Sequence, residues 1–137
     1  MEFVRKFTNH PFLTAAALCI GVAVVVADTV LFSRMLERPL DLSEPVVLLV
    51  NALLTAVPFL WLAYRGSHRW LPWVVGLGLT LWLWWRWLQA GVAYQRAPDG
   101  SGVDMAFAFL MLISPLLIGA VCVWIDEVLK RRAAANP

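Results

Sequence analysis

Charge is scarce in this chain of 137 residues. Only 15% of them are charged, against about 25% in an ordinary soluble domain. Cysteine is nearly absent: Cys19 and Cys122 are the only two, with no CxxC spacing, so neither a disulfide framework nor a thiolate metal site follows. Both sit in apolar runs and are expected as small buried side chains. Histidine is limited to His10 and His68. The two fall near the same end of the expected bundle, but no third ligand or haem motif accompanies them. The chain has no HExxH, no glycine-rich phosphate loop and no GxSxG. No catalytic constellation is therefore visible, and no cofactor or metal is expected. A formal net charge of +2 calls for no nucleic acid.

What the chain has instead is apolar length. It is 61% hydrophobic with a mean hydropathy of +0.75. A membrane span needs roughly 20 mostly apolar residues. Four runs reach that length, at 12–32, 45–64, 71–92 and 105–125, and little chain is left for a separate soluble domain. Inside hydrocarbon each span must satisfy its own backbone hydrogen bonds, which makes it a helix. The expected fold is an all-α membrane protein, one domain over 1–137, with four transmembrane helices in two antiparallel hairpins. Most prolines fall at span edges, whereas Pro58 and Pro115 fall inside spans and are expected to kink them. Pro58 and Pro115 are 57 residues apart and Asp28 and Arg86 are 58 apart, the spacing of a weak hairpin duplication. Arg5, Lys6 and the small residues Val25-Val26-Ala27 resemble a cleaved signal peptide. The apolar run resumes after Asp28, however, and outlasts an h-region of about 7–15 residues, so a retained first helix is expected.

Basic residues divide unevenly between the two ends of such a bundle. Arg5, Lys6, Arg65, Arg69, Lys130, Arg131 and Arg132 share one end; Arg34, Arg38, Arg86 and Arg96 share the other. The positive-inside rule then places both termini in the cytoplasm. The Arg- and Ala-rich tail and the absence of eukaryotic sorting signals suggest a bacterial inner membrane.

The polar residues inside the spans are the candidate site. Counted from the outer span ends, Asp28 lies roughly 6 Å deep, and Asn51 and Arg86 roughly 9 Å. Gln89 and Asp104 sit just above them. The stripe Ala17, Gly21, Asp28 turns Asp28 toward the bundle. Asn51, Thr55 and Pro58 form a second stripe, and Gly78, Trp82, Trp85, Arg86 and Gln89 a third. The expected cluster is Asp28, Asn51, Arg86, Gln89 and Asp104, with Asp28 paired to Arg86 and with Trp82 and Trp85 covering the pair through cation–π contact. Trp84 and Trp87 are assigned to the outer aromatic belt. Ser114 and Thr55, beside helix prolines, are expected to satisfy freed backbone groups.

Small multidrug transporters share the length, the four spans and an acidic residue in the first span. Here that residue is near the outer end and no further motif matches, so no family is assigned. Two expectations of function follow. The first is an accessory or scaffold subunit that packs against a larger membrane assembly or against itself, its partners being the bilayer and other membrane proteins. The second is a small dimeric transporter or channel using an outward-facing Asp28/Arg86 pocket.

Overall fold

The computed structural model describes residues 1–40, 43–96 and 105–136, the side chains of 105–107 excepted. Those residues form five helices: α1 (Glu2–Asn9), α2 (Pro11–Met35), α3 (Pro45–Tyr64), α4 (Trp70–Arg96) and α5 (Met105–Ala135). Pro11 and Pro45 stand at helix starts, where a missing N–H removes no intrahelical bond. Among the described residues three helical stretches are long and apolar enough to cross a membrane: Pro11–Met35, Pro45–Tyr64 and Ala108–Ala135. Residues 25–28 lie within α2, which is unbroken. α4 has the length but is less apolar, because six of its 27 residues are tryptophan, each carrying a polar indole N–H.

α2 and α3 make the closest pair. Ala17 and Ala56 are fully buried, and a Cβ at Gly21 would strike the Ala52 carbonyl. Small side chains here let two backbones approach, and in lipid such packing is a main source of helix association. The same geometry corrects the expectation for Cys19. It lies two residues from Ala17, about 200° around the helix, and is exposed. Cys122 is buried as expected; its thiol donates to the Pro72 carbonyl at 3.4 Å.

The turn after α3 is closed by its backbone. Gly66 has φ +66°, a left-handed conformation that suits glycine. Its N–H donates to the Ala63 carbonyl at 2.9 Å, and the Ser67 N–H donates to the Leu62 carbonyl at 3.1 Å, the paired bonds of a Schellman ending. α4 then returns antiparallel to α3 and packs on α5 through Gly76, whose added Cβ would meet Cys122 Sγ at 2.7 Å. Trp73 stacks on Phe59 with centroids 5.8 Å apart. At the opposite end, the Arg96 guanidinium donates to the Met35 carbonyl at 2.8 Å, tying α4 to α2.

α1 was not expected, since eight residues are too short to read as a span. Phe3 and Phe7, one turn apart, rest on Tyr64 with centroids 5.5 and 5.6 Å away, and Lys6 Nζ lies 4.7 Å from the centre of the Tyr64 ring.

Candidate functional site

Among the described residues the expected polar cluster is not brought together. Asp28 is half-buried in a groove between α2 and α4, against Val24, Leu31, Leu81, Trp84, Trp85 and Leu88. Arg86 is two residues from both Trp84 and Leu88, so it projects about 200° away from either around α4. It is exposed, and so is Gln89. The five ion pairs among the described residues do not include Asp28 with Arg86. Trp82 and Trp85 are 60% and 47% exposed and cover no pair. Asp104 lies outside the described residues.

The physical reason is the rotation of α4. Pro72, Gly76, Thr80, Leu88 and Val92 recur at steps of four and eight and are all buried. Gly76 and Thr80 on this stripe meet α3 and α5, Leu88 meets α2, and Trp84 lies between them. The expected inward stripe, Gly78 to Gln89, is the opposite face, and a Cβ added at Gly78 would meet nothing within 4 Å. Trp84 and Trp87 therefore face inward, where belt positions were expected.

Their inward faces help line a cavity of about 210 Å³ between α3, α4 and α5. Asn51, Thr55 and Thr80 contribute polar groups, and both intrahelical prolines, Pro58 and Pro115, form part of its wall. The Thr55 hydroxyl donates to the Asn51 carbonyl at 2.7 Å, and the Ser114 hydroxyl to the Met111 carbonyl at 2.8 Å. Thr80 is 4% exposed, and its hydroxyl has no hydrogen-bond partner among the described residues.

A second polar centre, missed in the sequence, closes the other end of the bundle. Asp126 is fully buried. Its Oδ1 accepts from the Ser67 hydroxyl at 2.8 Å, and its Oδ2 accepts from Arg65 Nε at 3.3 Å. Arg69 and Lys130 approach at 3.7 and 3.5 Å. Arg65 also donates to Glu127 at 2.9 Å, and Trp73 Nε1 donates to the Ser67 carbonyl at 3.1 Å. Asp126 and Glu127 follow the apolar run 105–125. Burial pushes the Asp126 carboxyl up, but the Ser67 hydroxyl, Lys130 and Arg65 outweigh it and hold the group below its ordinary range. The Arg65 hydrogen bond does the same for Glu127, supported by Arg131. The available signal was Asp126-Glu127 sharing an end with the basic loop 65–69.

His10 and His68 do meet beside this loop, ring centroids 5.9 Å apart and edge to face. Among the described residues no group of three or more His, Cys, Asp or Glu is placed to hold a metal.

Comparison of the chain with family models, curated proteins and solved structures finds no match.

Proposed function

We propose that this protein is a small scaffold or accessory subunit of a membrane assembly, and that it works by docking another membrane helix on the outer face of α4. The observation that carries this is Arg86. It lies exposed beside Trp82, Trp85 and Gln89, on a helix packed lengthwise against α2 and α5. An arginine at the centre of a span costs about 2.5–3.5 kcal/mol even with snorkelling; Arg86 is nearer the outer end and costs less, but a lipid-facing guanidinium there is still unfavourable. A partner with an acidic or polar group offsets that cost.

This reading takes α4 as the fourth span. Its 27 residues rise about 40 Å, enough to cross. It takes both termini as cytoplasmic from the basic residues at their end, in what we read as a bacterial inner membrane.

A second copy of the chain suits the face. Asp28 and Arg86 share a depth, because Asp28 rests against Trp84 and Trp85, yet they sit on opposite flanks of α4. A two-fold axis running along the outer face of α4 brings opposite flanks together. Arg86 of each copy then stands beside Asp28 of the other, giving two equivalent ion pairs from one interface. Gly78, near the middle of the face, leaves room for close approach. The transporter reading loses the shared Asp28/Arg86 pocket it relied on.

Gentle extraction from the native membrane, followed by mass measurement of the intact complex, tests the proposal. A dimer, or a stoichiometric complex with a larger membrane protein, that is weakened by Arg86→Leu is the expected result. A monomer in every mild detergent overturns it.

A further inference from the structure

We propose that the cavity between α3, α4 and α5 is a binding site for a neutral, ring-sized molecule bearing a hydroxyl group. Four observations converge on that chemistry. The first is size: a cavity of about 150 Å³ lined by apolar side chains holds one benzene, and this one, at about 210 Å³, has room for one substituted ring. The second is shape. The indoles of Trp84 and Trp87 and the rings of Pro58 and Pro115 supply flat apolar walls.

The third is charge. Among the described residues the lining holds no charged side chain; its polar groups are Asn51, Thr55, Thr80, Ser114 and the indoles of Trp84 and Trp87, so an ion would find no counter-charge among them and would enter at a high desolvation cost. The fourth is the unfilled hydrogen-bonding capacity. Thr80 presents a buried hydroxyl without a partner among the described residues. Pro58 and Pro115 have no N–H to give to the carbonyls of Leu54 and Met111, two residues that line the cavity. Ser114 compensates the Met111 carbonyl. Among the described residues no side chain is shown donating to the Leu54 carbonyl. A ligand hydroxyl answers both needs, since it accepts from Thr80 and donates to a carbonyl.

The two prolines thus have a shared consequence. Each frees a carbonyl of a residue that lines the same cavity, one on α3 and one on α5. This site does not involve the outer face of α4, so it stands or falls separately from the docking proposal.

The test uses the full chain in lipid nanodiscs and fluorine NMR, with empty nanodiscs of the same lipid to subtract partitioning. The probes are 4-fluorophenol, fluorobenzene and 4-fluorobenzoate. The expected result is saturable binding of 4-fluorophenol, weaker binding of fluorobenzene and none of 4-fluorobenzoate. Thr80→Val keeps the side chain's shape and removes the hydroxyl; it is expected to weaken 4-fluorophenol by about fivefold, the worth of one net hydrogen bond, and to leave fluorobenzene unchanged. Ala108→Trp, at the cavity lining, is expected to abolish both. Circular dichroism of each variant separates lost binding from lost fold. The proposal is overturned if a folded Thr80→Val binds both probes as the parent does. It is equally overturned if 4-fluorophenol gives no saturable signal beyond empty nanodiscs, or if 4-fluorobenzoate binds as well as 4-fluorophenol.

Discussion

The Ser67 hydroxyl reaches across the bundle to donate to Asp126 at 2.8 Å, joining the α3–α4 turn to the far end of α5. Asp126 has no exposed surface, and Arg65, Arg69 and Lys130 surround it. Truncating such a carboxylate leaves partly buried cations and a hydroxyl without their acceptor. Asp126→Ala is therefore expected to cost about 2–4 kcal/mol, at or somewhat below the range for breaking a buried pair because the cations keep some solvent. Asp126→Asn, which can still accept from Ser67, is expected to cost less. Thermal unfolding of both variants in one detergent checks the order.

The same centre sets a pH dependence. Asp126 and Glu127 are held below their ordinary values, which are about 3.9 and 4.3 in an unfolded chain. In moderate acid the unfolded chain binds protons that the folded protein does not. The stabilisation is thus complete above the ordinary values and is lost as pH falls through the depressed ones. Melting temperature is expected to decline from about pH 5 downward. The decline should be shallower in an Asp126→Asn, Glu127→Gln variant; an unchanged slope there would assign the acid sensitivity to other groups.

Gly66 offers a local test of the turn. Its φ is +66°, and an added Cβ would lie 2.6 Å from His10 Nε2. Gly66→Ala is expected to destabilise by about 1–2 kcal/mol through backbone strain and displacement of the imidazole. Adding His10→Ala should return the part due to crowding, which a double-mutant cycle by thermal melting measures.

Arg86 and Asp28 make opposite predictions for fold and for association. Because no ion pair is found for Arg86 among the described residues, Arg86→Leu is expected to change the stability of the detergent-solubilised monomer by no more than about 0.5 kcal/mol. Association should respond instead. Arg86→Asp places two carboxylates together at each site of the proposed dimer and is expected to dissociate it. The exchange Asp28→Arg with Arg86→Asp should recover dimer on a sizing column.

Much of the architecture was legible because it rests on apolar length. Three of the four expected spans coincide with α2, α3 and α5, and the starts at Pro11 and Pro45 follow from what proline lacks. What could not be read was helix rotation. α4 carries small residues on two faces, Gly76 and Thr80 on one and Gly78 on the other, and periodicity does not say which one meets the bundle. Contacts with Phe59 and Cys122 decide it, and these come from residues 17 and 46 positions away in the chain. The turn of α4 by half a revolution moved Trp84 and Trp87 inward and Arg86 outward. Asp126 was missed for a related reason: its partners lie about 60 positions back in sequence, in a loop that read only as a topological marker.

The outer face of α4 as a docking surface is most directly tested by cross-linking from Gly78→Cys in native membranes, with the exposed Cys19 replaced by serine. Leu116→Cys, on the exposed face of α5, is the control. The account predicts a covalent adduct from position 78, of twice the chain's mass for a second copy, and none from position 116. An adduct of 78 to a different membrane protein would keep the docking face and change its occupant. No adduct from 78, or equal adducts from both positions, would contradict it.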